Sequence, residues 1–394
     1  MFKNHDLPHQ HPPAPPSNPR PRSVGRRNCA TSMSHASSTV SQPAAEHIDS
    51  GFFFFHVIKN RSIDMAAQIT VFDTTLRDGE QAAGTRLGIR DKCDIARQLE
   101  RLNVDVIEAG FPASSPEDAA SVATIAQEIR TPIICGLTRA VIADIDACAK
   151  ALENADRPRI HTGIGVSNIH IMGKFRDEKY GRTIEQKKDR IRDMAVRAVR
   201  HARTFVDDVE FYAEDAGRSD RAYLFDIIEA VIEAGATTVN IPDTTGYTLP
   251  DQYGALIRSL CDHVPNINRA IISVHCHNDL GMAVANTISG LQNGARQFEG
   301  TLNGIGERAG NAALEEVVMA LRTRSDALDL DTGINAHELY RTSRMVANAM
   351  GMFVPPNKAV IGDNAFAHSS GIHVDGVLKE RTTYEIMAPE DVGM

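Results

Sequence analysis

The spacing of short runs rich in β-branched residues constrains the fold of this chain more than any other feature. Successive runs are mostly separated by about thirty residues, which is the length of one strand–helix unit. Amphipathic segments such as residues 91–102 and 223–234 fill the intervals, with apolar side chains at helical spacing. The pattern predicts an α/β protein built on a (β/α)8 TIM barrel, with a doubly wound sheet as the alternative. The eight runs are residues 69–72, 104–109, 133–137, 160–166, 209–212, 238–241, 271–275 and 298–302.

Residues 1–64 differ in composition from everything that follows them. They are rich in proline, arginine and serine, and such a segment cannot bury enough apolar surface to offset its chain entropy. Three interpretations are open. One is that the start was assigned too early, with Met65 as the natural start. The segment is otherwise an organellar transit peptide or a disordered native extension. The barrel is predicted over residues 65–325. A linker and a partial, short helical C-terminal subdomain are predicted over residues 326–394.

Composition argues against several classes of partner. The 394 residues carry a formal net charge of −9, so a broad basic face for nucleic acid is not expected. No stretch is long enough to span a bilayer, so no membrane partner is expected. The six cysteines lack metal-binding spacing and are expected to be free thiols in a reducing cytoplasm. A cytoplasmic location is therefore predicted, with organellar import only if residues 1–64 are a genuine transit peptide.

Polar side chains follow the ends of the predicted strands, where a barrel places its active site. His275 and His277 end the seventh strand at positions i and i+2, so both point to the same face. Asp78 follows the first strand and opens onto the same mouth of the barrel. Two imidazoles, one carboxylate and one amide oxygen would suit Mn²⁺, Mg²⁺ or Zn²⁺. The alternative interpretation is a pair of ordinary histidines at the end of a strand.

Four short motifs stand at separated places along the chain. They are residues 76–81 (LRDGEQ) followed by Lys92, 274–281 (VHCHNDLG), 303–311 (NGIGERAGN) and 366–376 (FAHSSGIHVDG). In this order they resemble the homocitrate/isopropylmalate synthase family, over about residues 66–394. The resemblance implies a barrel enzyme that condenses acetyl-CoA with a 2-keto acid. It also implies a homodimer with shared active sites, in which the appendage of one chain reaches the barrel of the other.

The resemblance implies how the acceptor keto acid is held. The implied ligands of a divalent metal are Asp78, His275, His277 and Asn311. Mn²⁺ is expected first, with Mg²⁺ and Zn²⁺ as alternatives, and K⁺ is a candidate activator. Arg77 is implied to bind the keto oxygen and to stabilise the developing alkoxide, the alternative being a simple ion pair with Asp78. Thr244 is implied to hold the carboxylate of the keto acid.

A second group of residues is implied on the acetyl-CoA side. Glu214 matches a carboxylate implicated in catalysis, and His373 and Tyr384 match a histidine–tyrosine pair of the appendage. A base is needed there because the methyl group of a thioester is a weak acid. Three glycines follow the eighth strand, where barrels commonly bind phosphate, and they mark a weakly predicted CoA region. These glycines are Gly304, Gly306 and Gly310.

Three positions on the predicted pocket wall depart from the family pattern. Gly163 and Gly165 stand on the fourth strand where bulkier residues are usual, and Tyr212 stands on the fifth where a small residue is expected. These changes leave 2-oxoisovalerate, pyruvate and 2-oxoglutarate open as acceptors. Leu137, apolar at the end of the third strand, favours a branched aliphatic chain, so 2-oxoisovalerate is expected first.

The end of the sequence adds two further expectations. The chain stops at Met394, before the regulatory domain of family members that sense leucine, so leucine feedback is not expected. An alternative of a different functional class is that the chain is an inactive fragment that retains the metal and only dimerises. A lyase that runs the reverse chemistry on the same fold is a further alternative, and the appendage with His373 and Tyr384 argues against it.

Overall fold

A closed barrel of eight parallel strands forms the centre of the protein, as the run spacing predicts. The computed structural model describes residues 66–394, so the hypotheses about residues 1–64 lie outside the described part of the chain. Each strand pairs with its neighbour in chain order, and β1 pairs with both β2 and β8, which closes the barrel. The strands are β1 (Ala67–Asp73), β2 (Val106–Gly110), β3 (Ile133–Arg139), β4 (Pro158–Gly165), β5 (Asp208–Glu214), β6 (Thr238–Asp243), β7 (Ile271–Cys276) and β8 (Gln297–Gly300).

Helices alternate with these strands and surround the barrel. The helices that follow the strands are α1 (Ile89–Leu102), α2 (Pro116–Glu128), α3 (Ile142–Ala151), α4 (Asn168–Lys174), α5 (Ile184–Ala202), α6 (Arg221–Ala234), α7 (Pro250–His263), α8 (Ala283–Gln292) and α9 (Leu314–Thr323). Helix α6 illustrates how local sequence sets their limits. The side chain of Asp220 caps its first turn, and Gly235 ends it with φ +113°, a conformation typical of a glycine C-cap.

The strands alternate between an apolar outer face and a polar inner face. On β5, Val209, Phe211 and Ala213 belong to the apolar core between strands and helices. The intervening Glu210 and Tyr212 therefore point to the other face of the strand, into the barrel. This alternation directs polar side chains from several strands towards one enclosed space, whose upper end is open at the carboxyl ends of the strands.

Beyond the barrel, the chain first packs back onto it and then projects from it. The short helix α10 (Ser325–Leu328) leads into β9 (Leu330–Thr332), which pairs with the start of β1. Helix α11 (Leu339–Ala349) packs on α1, where Gln98 Nε2 donates to Thr342 Oγ1 at 3.0 Å. Helix α12 (Gly371–Lys379) has no buried residue. None of the helices within residues 66–394 is long and apolar enough to cross a membrane.

Candidate active site

A cavity of about 510 Å³ opens at the carboxyl ends of the strands, where the sequence predicted the site. Eight of the predicted site residues line it: Arg77, Asp78, Leu137, Tyr212, Glu214, Thr244, His275 and His277. They come from β1 or the loop after it and from β3, β5, β6 and β7, so they are brought together only when the barrel closes. The fold therefore assembles one polar cavity from residues that are up to 200 positions apart, the separation of Arg77 and His277.

Asp78, His275, His277 and Asn311 form a compact group, named here the metal-ligand cluster. The carboxylate oxygen Oδ2 of Asp78 lies 4.0 Å from Nε2 of His275 and 4.0 Å from Nε2 of His277. The three side chains are buried and close enough to hold one metal ion together. Asn311 joins them through its side-chain nitrogen, which donates to Asp78 Oδ1 at 2.7 Å. The four residues predicted as ligands thus converge on one point.

Unsatisfied atoms in this cluster fit a bound cation. Asn311 Nδ2 also donates to the carbonyl oxygen of Ile305 at 3.1 Å, which leaves Asn311 Oδ1 buried with no hydrogen-bond partner among the described residues. His277 Nδ1 is likewise buried and has no hydrogen-bond partner among the described residues. A buried polar atom without a partner costs about 1–3 kcal/mol, so such atoms usually serve a ligand. The donor set of imidazole nitrogens and oxygens suits a divalent metal.

The orientation of His275 is fixed from behind. Its Nδ1 lies 2.7 Å from Glu299 Oε2, and when that carboxylate is ionised Nδ1 carries the proton and Nε2 offers its lone pair to the cluster. Burial lowers the pKa of His275 and the pKa of His277 to about 4, so both rings are neutral near pH 7 and can act as ligands. A glycine at 306 is required nearby, because a Cβ there would lie 2.1 Å from Asn311 Nδ2.

Arg77 lies between the cluster and the interior of the barrel. Its Nε donates to Glu108 at 2.5 Å and its Nη1 donates to Asp78 at 2.6 Å, so the ion pair with Asp78 is present. Burial opposes its charge, but Glu108 and Asp78 raise the pKa of Arg77 above its ordinary value. Its Nη2 makes no hydrogen bond to a described residue, and Arg77 is among the residues that line the cavity. Arg77 can therefore keep its ion pair with Asp78 and still bind a substrate.

Glu214 faces the cavity from the end of β5 but is already paired. Lys174 Nζ donates to Glu214 Oε1 at 2.6 Å, and His170 Nδ1 lies 3.6 Å from Oε2. Burial raises the pKa of Glu214, but the neighbouring His170 and Lys174 lower it to about 2. The carboxylate is therefore ionised and a weak base. Thr244 lies near this group, where its Oγ1 accepts the backbone N–H of Asp215 at 2.9 Å and its hydroxyl proton stays free to be donated.

The appendage brings two predicted residues together, but not into this cavity. The rings of His373 and Tyr384 stack with centroids 4.0 Å apart and an angle of 17°. Tyr384 covers Gly376, where a Cβ would lie 2.7 Å from Tyr384 Cε2. Neither ring is among the residues that line the cavity of their own chain. The predicted pair thus exists, and within one chain it is separate from the cavity.

The glycine-rich loop after β8 supports the metal-ligand cluster. Gly304, Gly306 and Gly310 all have positive φ angles, of 68°, 154° and 87°. The loop ends at Asn311, and the cavity is lined by Glu307 and Arg308 from between the glycines rather than by the glycines themselves. The CoA contact predicted for these glycines stays a prediction.

Several residues of the site were not identified from the sequence. His161 lines the cavity and is bonded through Nδ1 to Glu108 Oε1 at 2.8 Å, and Glu108 and Glu299 are buried and do not line it. Burial raises the pKa of Glu299 to about 7, whereas the pKa of Glu108 is lowered to about 2 by Arg77 and His161 despite its burial. A signal was available, because each is a polar residue on the inner face of a strand that is otherwise apolar.

Comparisons with known sequences agree with this architecture. A family model described as HMGL-like matches residues 68–346, and one described as homocitrate synthase post-HMGL domain-like matches residues 360–394. The chain is 57% identical over 330 residues to the 2-isopropylmalate synthase of Heliobacterium modesticaldum, covering 84% of this chain and 63% of that protein. It is 55% identical to that of Sodalis glossinidius, covering 84% of this chain and 61% of that protein. The chain therefore spans less than two thirds of these relatives.

Solved structures match the fold at lower sequence identity. An HMG-CoA lyase from Acinetobacter baumannii, in complex with coenzyme A and 3-methylmalate, superimposes with a TM-score of 0.61 and 20% identity. The match covers 77% of this chain and 98% of that structure. The HMG-CoA lyase of Bacillus subtilis gives a TM-score of 0.58 at 21% identity, covering 73% of this chain and 95% of that structure. At this identity the likeness concerns the barrel fold alone.

Proposed function

The chain belongs to the HMGL-like family, and from this premise we propose that it condenses acetyl-CoA with 2-oxoisovalerate and water. The products are 2-isopropylmalate and CoA, and the reaction is that of 2-isopropylmalate synthase, the first committed step of leucine biosynthesis. One observation carries the proposal. The metal-ligand cluster and Arg77 converge at a cavity that the apolar side chain of Leu137 also lines. The names of the relatives that are more than half identical point to the same reaction.

The metal-ligand cluster would hold a divalent cation, for which we propose Mn²⁺, with Mg²⁺ or Zn²⁺ as alternatives and K⁺ as an activator. Bound there, the cation would polarise the keto group of the acceptor as a Lewis acid. Asn311 Oδ1 has no hydrogen-bond partner among the described residues, and the bond from His275 Nδ1 to Glu299 leaves Nε2 as the ring nitrogen that could bind the cation. Glu299 keeps the His275 ring in its ligand orientation.

The chain's own residues would position the keto acid. The free Nη2 of Arg77 is available to the keto oxygen, and a guanidinium fixed by two carboxylates stabilises negative charge without reorganising. The hydroxyl of Thr244 would donate to the acceptor carboxylate, because its oxygen already accepts the N–H of Asp215. These contacts would place the keto carbon where an acetyl-CoA enolate can attack it.

The acetyl-CoA side requires a base from outside this chain's cavity. Glu214 is held as an ion pair by Lys174, and a pKa of about 2 makes it a poor proton acceptor. We assign to Glu214 the positioning of the acetyl-CoA side and to His373, with Tyr384, the proton transfer. Hydrolysis of the thioester would then make the condensation irreversible.

His373 and Tyr384 would act in the cavity of a second chain, so the proposed enzyme is a homodimer. The appendage exposes large apolar side chains that its own chain does not cover: Ile372 is 76%, Leu378 81% and Ile386 78% exposed. Such a group of apolar side chains is typical of a surface that binds a partner. A cytoplasmic location is consistent with the described cysteines, which are all free thiols.

A panel of keto acids tests the proposal. CoA release by the Mn²⁺-loaded protein would be followed with a thiol reagent in the presence of 2-oxoisovalerate, pyruvate or 2-oxoglutarate. We expect the largest kcat/KM with 2-oxoisovalerate. Each cationic side chain that lines the cavity already pairs with a carboxylate, so the second carboxylate of 2-oxoglutarate finds no unpaired cation.

The other outcomes of the panel identify the competing functions. The greatest activity with pyruvate would make the protein a citramalate synthase, a possibility that Tyr212 on the pocket wall favours. The greatest activity with 2-oxoglutarate would make it a homocitrate synthase. A folded, metal-bound protein that releases no CoA with any keto acid would be an inactive fragment.

A further inference from the structure

We infer that Gly163 and Tyr212 act as one unit that determines which acceptor side chain the cavity takes. The inference rests on the proposed function, because it concerns the acceptor pocket of the same site. Gly163 leaves a gap on β4, the Tyr212 ring fills that gap, and the ring is the wall against which the acceptor's alkyl group packs. The acceptor class is a 2-keto acid with a small aliphatic side chain.

The geometry of the two residues makes them interdependent. Gly163 and Tyr212 are register partners on the adjacent strands β4 and β5. A Cβ at position 163 would lie 2.4 Å from Cγ and 2.5 Å from Cδ2 of the Tyr212 ring, and 2.2 Å from the Tyr212 carbonyl oxygen. Real Cβ atoms do not approach other atoms so closely. Any side chain at 163 must therefore displace both the ring and the β5 backbone at Tyr212.

The ring is also held at its far end. The Tyr212 hydroxyl donates to the carbonyl oxygen of Thr138 at 3.0 Å. Thr138 lies on β3, so the ring extends from β5 across β4 to β3. It covers the strand at the point where Gly163 has no side chain. A ring fixed at both ends is a rigid surface, because neither of its torsions can rotate without breaking a contact or a hydrogen bond.

This ring continues into a wall made by neighbouring strands. The ring of His161 meets it edge to face, with centroids 5.0 Å apart and an angle of 81°. Leu137 is the register partner of His161 on β3. All three side chains line the cavity. The acceptor's side chain would thus meet an aromatic and aliphatic wall formed by three successive strands.

Displacement of the ring has one available direction. The backbone of β4 lies beneath it, so a side chain at 163 would push the ring away from the strand and into the cavity. The loss of space falls on the acceptor's alkyl group, and branched acceptors lose more than pyruvate. One methylene in such a pocket changes kcat/KM by roughly 10–200-fold, so the effect is measurable.

The test compares Gly163→Ala with the double variant Gly163→Ala/Tyr212→Ser. Rates of CoA release would be measured with pyruvate, 2-oxobutyrate and 2-oxoisovalerate, and the ratio of kcat/KM values for 2-oxoisovalerate and pyruvate compared. We expect Gly163→Ala to lower this ratio by roughly tenfold or more. The double variant removes the contact with the ring but keeps the approach to the carbonyl oxygen of residue 212, so the ratio should return only part of the way towards that of the wild type. Calorimetric dissociation constants of the keto acids should change in parallel.

Gly173→Ala is the matched control, since a Cβ on that glycine would meet no atom within 4 Å. If Gly163→Ala does not fold, the inference is tested by Tyr212→Ser alone. This variant should raise the ratio of kcat/KM for 2-oxoisovalerate to that for pyruvate. Equal ratios in the wild type, Tyr212→Ser and any folded Gly163→Ala protein would overturn the inference. A wild type that turns over no keto acid would instead contradict the proposed function.

Discussion

The metal-ligand cluster and the appendage differ in how far one chain completes them. In the cluster, ligands from three loops meet at one point, Glu299 fixes His275, and Gly306 allows the close approach of Asn311. In the appendage, His373 and Tyr384 stack on each other, and α12 buries none of its residues. The difference teaches that one chain completes the half of the site where the keto acid is proposed to bind. The half that would act on acetyl-CoA is left facing outward.

The energetics follow the same division. A buried Leu or Ile side chain contributes about 1.5–3 kcal/mol relative to an exposed one. Leu339 on α11 is fully buried and obtains this stabilisation from its own chain, whereas Leu378 on α12 is 81% exposed and does not. The order of α12 in the proposed dimer would therefore depend on the partner. Three predictions examine this contrast.

The largest effect is expected in the cluster. His275→Ala removes a proposed metal ligand and leaves Glu299 Oε2 without its bond to the ring, so we expect loss of bound metal and of all CoA release. The barrel should stay folded, because the ring occupies a polar cavity rather than the apolar core. Metal analysis and circular dichroism would measure both. His263→Ala, on the exposed end of α7, is the control, and unchanged turnover in His275→Ala would remove the metal assignment.

The cluster was predictable from the sequence because its signal is local. His275 and His277 are separated by one residue at the end of a strand. Asp78 and Asn311 follow strands whose spacing indicates a barrel. The residues behind them were not predictable in the same way. Glu299 contacts His275 only because β7 and β8 are neighbours in a particular register. No local pattern specifies which inward-facing polar side chains of different strands meet.

The pocket wall illustrates the same limit more sharply. Gly163 and Tyr212 are separate departures in the sequence, 49 positions apart, and each alone indicates only a changed pocket. The strand register makes them one feature, because the ring of one fills the space of the other. The pairing of Glu214 with Lys174 was also missed, since it depends on how α4 returns over the end of β5.

The second prediction concerns the outward-facing pair. His373→Ala should lower kcat by about 10²-fold or more, the usual contribution of a general acid or base, and leave metal content unchanged. Mixing His373→Ala with His275→Ala chains sharpens the comparison. If sites are shared, half of the randomly formed dimers carry one intact site, and activity returns to about a quarter of the wild type. Differential tags on the two chains would confirm that subunits have exchanged. If they have and no activity is recovered, each chain uses its own appendage.

The smallest effect is expected from a matched pair of substitutions, one in α11 and one in α12. Leu339→Ala should reduce the free energy of unfolding by about 2–5 kcal/mol at any protein concentration, because it opens a cavity in the chain's own core. Leu378→Ala should change it by at most about 0.5 kcal/mol in dilute solution, where an exposed side chain contributes little. At high concentration it should instead weaken association of the chains. Denaturation and sedimentation over a range of concentrations would measure both. A concentration-independent loss in Leu378→Ala equal to that in Leu339→Ala would mean that α12 packs on its own barrel, and the contrast between the two regions would disappear.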